Sequence, residues 1–184
     1  MANTTPKKYP TIGCCGIDCG LCPRFYTEGS SRCPGCGGEG FEEVHPPCSF
    51  KTCCAGKHGL EACGECAEYP CPKYGDQLKI ERDSFVTHKR ILYNQERIKS
   101  HGIENFMLEQ SRRISILQNM LASYDDGRSK SFYCLAAALL PPERLAGALA
   151  EISVDENKKK TAKALKSILQ RYAEIEGIAL SLDK

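Results

Sequence analysis

Residues 63–72 read Cys63-Gly64-Glu65-Cys66-Ala67-Glu68-Tyr69-Pro70-Cys71-Pro72, and the chain changes character across this stretch. Upstream, twelve of the thirteen cysteines fall between Cys14 and Cys71, and downstream only Cys134 remains. Residues 14–72 also hold 10 glycines and only scattered large apolar side chains. Such a segment buries too little apolar surface to offset its chain entropy unaided, so it calls for crosslinks or metal. After Pro72 glycine becomes sparse and helical periodicity begins. The expected fold is mostly α: a small Cys-rich metal-knuckle module over 14–72, then an all-α bundle of about five helices over 73–184. Residues 1–13, polar and Pro-containing, are expected to form a flexible arm.

Five helices are expected, four of them from apolar stripes. Leu78, Phe85 and Leu92 recur every seven residues, with Ile91 and Ile98 beside them, and predict one helix from about Lys73 to Ser100. His101-Gly102 supplies its stop. Ile103, Phe106, Met107, Ile114, Leu117, Leu121 and Tyr124 form a second stripe, closed by the Asp125-Asp126-Gly127 turn. A third helix is expected over Ser131 to Leu140. A fourth opens at Pro141-Pro142-Glu143, where a missing N–H costs least, and carries Leu145, Leu149 and Ile152. Ser153-x-x-Glu156 has the capping-box spacing for a fifth, with Leu165, Ile168, Leu169, Tyr172 and Ile175 as its stripe and Gly177 as its end.

Composition narrows the function classes. The formal net charge of +2 is too small to argue for nucleic acid. The last helix is basic (Lys158, Lys159, Lys160, Lys163, Lys166 and Arg171) but has no interleaved aromatic face, so it reads as a solvated surface. No apolar run approaches the roughly 20 residues that a bilayer requires. The expectation is therefore a cytoplasmic protein without a membrane segment. In a reducing compartment clustered cysteines read as metal ligands or redox thiols and not as disulfides.

Cys19/Cys22, Cys33/Cys36 and Cys63/Cys66 are Cys-x-x-Cys pairs, whose tight turns aim two sulfurs at one ion. Cys14-Cys15 and Cys53-Cys54 are adjacent pairs, whose side chains diverge, so one of each is set aside. Zinc suits a module without a core of its own, because thiolate sites contribute folding energy directly. An iron–sulfur cluster is the alternative: Cys63-x2-Cys66-x4-Cys71-Pro72 has a cluster-like rhythm, although the full ferredoxin run is absent. Cys15-x3-Cys19-x2-Cys22 also has the spacing of radical S-adenosylmethionine enzymes, without the alternating strands and helices that such a site needs. His45 and His58 lie inside the module and read as surface-loop residues or substitute ligands.

Cys15-Gly16-Ile17-Asp18-Cys19-Gly20-Leu21-Cys22-Pro23, Cys33-Pro34-Gly35-Cys36 and Cys63-Gly64-Glu65-Cys66-Ala67-Glu68-Tyr69-Pro70-Cys71 together resemble the cysteine-rich prokaryotic family called domain of unknown function 3795. The resemblance spans about residues 14–73 and fixes order, spacing and the neighbouring Gly, Asp and Pro. It implies zinc binding but no known reaction. The ligands it implies are Cys15, Cys19, Cys22, Cys33, Cys36, Cys48, Cys53, Cys63, Cys66 and Cys71, with Cys14 and Cys54 as extras.

Arg128, Ser129 and Lys130 precede the third helix and suggest a weak anion site at a helix start. Cys134 sits in an apolar helix and reads as an inert core thiol. Asp18, between cysteines, is read as an orienting group rather than a catalytic one. No phosphate-binding loop, nucleophile elbow or paired-His motif is present. The reading is a non-enzymatic protein with structural thiolate–zinc sites that engages a protein partner. The alternatives are an iron–sulfur redox or sensor protein, and a metal-dependent enzyme with an anion pocket near Arg128 and Lys130.

Overall fold

The computed structural model describes residues 7–77, 82–153 and 155–183. Among the described residues there is no strand. Three short helices, α1 (Phe41–Val44), α2 (Ser49–Lys51) and α3 (Pro72–Gln77), lie within or beside the cysteine-rich segment. Five longer ones form the bundle: α4 (Ile91–His101), α5 (Ile103–Tyr124), α6 (Lys130–Leu139), α7 (Pro142–Glu151) and α8 (Lys158–Ile175). The all-α reading and the order of module and bundle therefore hold.

The module is built from tight turns. Single 3₁₀ turns cover Cys19–Leu21, Pro23–Tyr26, Gly29–Ser31 and Cys63–Glu65, and a π-helical turn covers Thr52–Lys57. Gly35, inside the Cys33/Cys36 turn, has φ +85° and packs so closely that a Cβ would stand 2.2 Å from the Pro10 carbonyl oxygen. No L side chain fits there. Phe41, Phe50, Tyr69 and Tyr74 pack with Cys14, Cys36 and Cys54 into a small core. Phe50–Tyr74 and Tyr69–Tyr74 meet edge-to-face at centroid distances of 5.4 and 5.0 Å.

The bundle is organised on α5. Phe106, Gln110, Arg113, Leu117 and Met120 are its buried positions, spaced four and three apart so that they fall on one face. Against that face lies α6, whose Tyr133, Cys134, Ala136, Ala137 and Ala138 are buried. The run of alanines lets α6 approach α5, α7 and α8 closely. Leu145 and Ala148 of α7 and Leu165, Leu169 and Ala173 of α8 close the same core. The turn at Cys19–Leu21 sends Leu21 into this core, so module and bundle share apolar burial. Gly177 (φ +66°) ends α8, with the Ile178 N–H bonded back to the Ala173 carbonyl at 2.8 Å.

Four expectations are corrected. The single helix over Lys73–Ser100 is two, α3 and α4, with residues 82–90 non-helical between them. Leu78 lies outside the described residues, and Phe85 and Leu92 are 62% and 47% exposed, so their seven-residue spacing marks no core stripe. Residues 7–13 are packed rather than a free arm. Lys7 and Ile12 are buried, and the Lys8 and Tyr9 N–H groups each donate to the Glu61 carboxylate at 2.8 Å. Finally, α8 does not start from the Ser153-x-x-Glu156 box. Its N-cap is Asn157, whose side-chain oxygen accepts from the Lys159 and Lys160 N–H groups. Just before the helix, Asp155 exchanges two bonds with the Thr161 hydroxyl in the first turn of α8 and accepts the Asn157 N–H. Asn157→Ala is therefore expected to lower the unfolding free energy by about 1 kcal/mol in denaturant titrations. Ser153→Ala is expected to leave it unchanged, and the reverse ranking would reinstate the Ser153 cap.

Candidate metal centre

Loops from across the module bring four sulfurs together. Cys14 comes from the turn in which Gly13 N–H bonds to the Ile17 carbonyl at 2.8 Å. Cys36 follows the Gly35 turn, Cys54 lies inside the π-helical turn, and Cys63 opens the 3₁₀ turn at Cys63–Glu65. The Cys63 N–H donates to the Cys14 carbonyl at 2.9 Å, and the Glu65 carboxylate accepts from the Glu61 and Ala62 N–H groups, both at 2.9 Å. Cys14 Sγ stands 3.8 Å from Cys36 Sγ. Cys54 lies near both Cys14 and Cys63, and its Sγ donates to the Leu60 carbonyl at 3.4 Å. Cys14, Cys36 and Cys54 are buried and Cys63 is half-buried. All thirteen cysteines are free thiols. The four sulfurs run as a chain, Cys36–Cys14–Cys54–Cys63. Among the described residues, no group of three or more Cys, His, Asp or Glu side chains has the arrangement to hold an ion.

The electrostatics concentrate negative charge on Cys14 and Cys63 and keep Cys36 and Cys54 protonated. The S–H groups of Cys36 and Cys54 pull the Cys14 thiol far below its ordinary range, against burial and with help from Lys7. The same contacts push Cys36 and Cys54 upward. Lys7 is a buried cation whose Nζ donates to the Ile12 carbonyl at 2.6 Å. Burial works against its charge, but Cys36, Cys14, Cys19 and Glu61 outweigh it and hold its pKa above the usual lysine value. A buried ammonium persists only where it is paired, and here most of its partners are sulfur.

The other candidates surround this group or lie beside it. Cys15, Cys19, Cys48, Cys66 and Cys71 are partly buried against the same small core. Burial pushes the Cys15 thiol up to about 12, opposed by the Ile17 N–H. Burial, then the neighbouring Cys15, pushes Cys19 up, while the Cys36 N–H opposes. Burial likewise raises Cys22, against N–H groups of Arg24 and Phe25. Backbone donors aimed at sulfur favour the thiolate form. Cys22 and Cys33 interact with each other, and the Cys33 N–H bonds to the Arg24 carbonyl at 2.9 Å. Cys53 is half-buried on the π-helical turn, and His45 and His58 are exposed. Cys134 is buried in the bundle core, as expected. At Arg128 and Ser129 the backbone donors are already engaged. Gly127 and Ser129 N–H groups bond to Asp125, and Arg128 N–H bonds to Asp126. Lys130 Nζ turns to the Tyr26 carbonyl and Thr27 hydroxyl, each at 3.4 Å.

What spacing missed is the support from α4. Gln95, fully buried, donates from Nε2 to the Cys14 carbonyl at 2.8 Å and accepts the Gly64 N–H on Oε1. Asn94 Nδ2 donates to the Gly16 carbonyl at 2.9 Å and to Asp18 Oδ1 at 3.0 Å. Gln110 of α5 adds a 2.5 Å bond to the same Asp18 oxygen. Cys14, Cys54 and Lys7 were likewise not singled out. The one sequence signal for the clamp is the adjacent amide pair Asn94-Gln95 on an otherwise ordinary helix.

Residues 11–76 match the family described as protein of unknown function (DUF3795). Comparison with curated proteins and with solved structures finds no match. Gln95→Leu keeps the volume but leaves the buried Gly64 N–H unpaired and the Cys14 carbonyl with only the Cys63 N–H. It is expected to lower stability by about 1–3 kcal/mol in denaturant unfolding. An unchanged midpoint and slope would show the clamp to be idle.

Proposed function

We propose that the protein binds metal through cysteine thiolates, as a zinc protein whose metal is structural, with Cys14, Cys36, Cys54 and Cys63 as the first ligand group. The observation that carries the reading is the 3.8 Å separation of the Cys14 and Cys36 sulfurs. Two thiolates on one tetrahedral zinc, each bonded at about 2.3 Å, stand about 3.8 Å apart. Thiolates of an iron–sulfur cube bind separate irons and stand farther apart, so the spacing favours a mononuclear ion. Cys54 and Cys63 continue the group, and Lys7 offers a buried countercharge for a four-thiolate ion, which carries net negative charge. The donor set is therefore of the right chemistry. The remaining members of the family-implied set, Cys15, Cys19, Cys22, Cys33, Cys48, Cys53, Cys66 and Cys71, are the pool for any second site.

Bound zinc would crosslink the module's loops and add its binding free energy to folding. Four thiolates leave no open coordination position, so the reading is an interaction protein and not an enzyme. A cytoplasmic setting would keep the thiols reduced. The paired knuckles, buried sulfurs and backbone N–H groups directed at Cys15, Cys19 and Cys22 support the same view.

Elemental analysis of protein made without oxygen tests this. At least one zinc per chain and no absorption near 400 nm is expected. Cys14→Ser and Cys36→Ser are each expected to lose about one zinc per chain, while Cys134→Ser keeps the wild-type content. Strong chelator is expected to remove the module's structure while most of the helical circular dichroism of α4–α8 survives. A brown protein would transfer the site to iron and sulfide. Metal-free protein with an intact module, or equal metal loss from Cys14→Ser and Cys134→Ser, would end the zinc reading.

A further inference from the structure

A second site lies in the bundle, away from the sulfurs. A cleft of about 280 Å³ opens between α4, α5 and the start of α7, lined among others by Arg90, Tyr93, Arg112, Arg113, Pro142 and Glu143. Its size is near the lower end for small-molecule pockets and far too small for a folded partner. Glu109 also borders it, but its carboxylate is paired with Arg97. Three guanidiniums therefore stand beside two carboxylates, that of Glu143, which has no ion-pair partner among the described residues, and that of Asp18, whose Oδ2 lies 3.8 Å from Arg90 Nε.

Each arginine has unused donors. Arg113 is buried and spends Nη1 on the carbonyls of Ala137 and Leu140, at 2.8 and 2.5 Å. Its Nε and Nη2 have no hydrogen-bond partner among the described residues. Arg90 stacks over Tyr93, 4.4 Å from the ring centroid. Its buried Nε is unpartnered, being 3.8 Å from Asp18 Oδ2, too far for a hydrogen bond. Asp18 is itself committed through its other oxygen to Asn94 and Gln110. Arg112, exposed at the mouth, has no ion-pair partner among the described residues. Burial, then the charge of Arg90, pulls the Arg113 pKa down to about 10, with Asp18, Tyr93 and Glu143 opposing.

The geometry points to a binding site for a small organic oxyanion, its carboxylate or phosphate lying between Arg90 and Arg113 and its apolar body resting on Tyr93 and Pro142. The planar guanidinium fork suits such groups, and the aromatic and proline walls reject a fully hydrated inorganic ion in favour of one with an apolar body. This site is separate from the Arg128–Lys130 turn, where Asp125 and Asp126 already take the Ser129 and Arg128 N–H groups.

Calorimetric titration of the full chain at low ionic strength tests it with three probes: phenyl phosphate, benzoate and the neutral benzyl alcohol. One of the two anions is expected to bind with one site per chain, the stronger naming the head group, and benzyl alcohol is expected not to bind. Arg90→Gln is expected to weaken that anion about tenfold, the loss of one charge-assisted donor pair. Lys130→Gln is expected to change nothing. No binding of either anion up to tens of millimolar, an affinity within twofold of wild type for folded Arg90→Gln, or an equal loss with Lys130→Gln overturns the site. If Arg90→Gln does not fold, exposed Arg112→Ala carries the test: about threefold weakening supports the site and no change overturns it.

Discussion

Two adjacent amides on one turn of α4 decide how the cysteine-rich loops sit. The loops have no strand ladder and almost no regular helix to satisfy their own peptide groups, and a buried unpaired N–H or C=O costs about 1–3 kcal/mol. Gln95 answers the Cys14 carbonyl and the Gly64 N–H, and Asn94 answers the Gly16 carbonyl and Asp18. Gly64 has to be glycine for this contact, because a Cβ there would lie 2.5 Å from the Gln95 carbonyl oxygen. The helix thus acts as the sheet partner that the loops lack.

The position of the sulfurs follows from that clamp. With the Cys14 carbonyl held by Gln95 and the Cys63 N–H, the Cys14 side chain is turned into the small core beside Cys36 and Cys54. Cys15 is fastened separately, its carbonyl accepting from the Tyr74 hydroxyl. Which of the two joins the four-sulfur chain depends on where the backbone is held, and residues eighty positions downstream do the holding.

Asp18 shows the same coupling from the other side. It leaves the cysteine motif, is buried at 1% exposure and is met by Asn94, Gln110 and Arg90 from two helices. Its carboxylate draws Gln110 into a face of α5 that would otherwise be apolar, and Arg113 interrupts the same stripe of Phe106, Leu117 and Met120 to meet the Ala137 and Leu140 carbonyls. The arginine-lined cleft is the outer edge of this network. A stripe read for hydrophobicity passes over such positions, because a buried arginine and an exposed one are the same letter.

The helices α5 to α8 were legible in the chain because each buries one face of a regular repeat, and a 3.6-residue period is written in local order. Proline at the start of α7 and glycine at the end of α8 are equally local signals. The likeness of residues 11–76 to that family was legible too, since the motif is a matter of order and spacing. The stretch from Lys73 to Ser100 was not. Its seven-residue echo was formed by side chains that stay exposed, and only packing distinguishes those from a core. Helical periods and the cysteine inventory belong to the sequence alone, being consequences of neighbours along the chain. Which sulfurs meet, which cation lies buried beside them, and where three arginines converge were decided by tertiary structure, because each depends on hydrogen bonds and charges between segments that no local pattern relates.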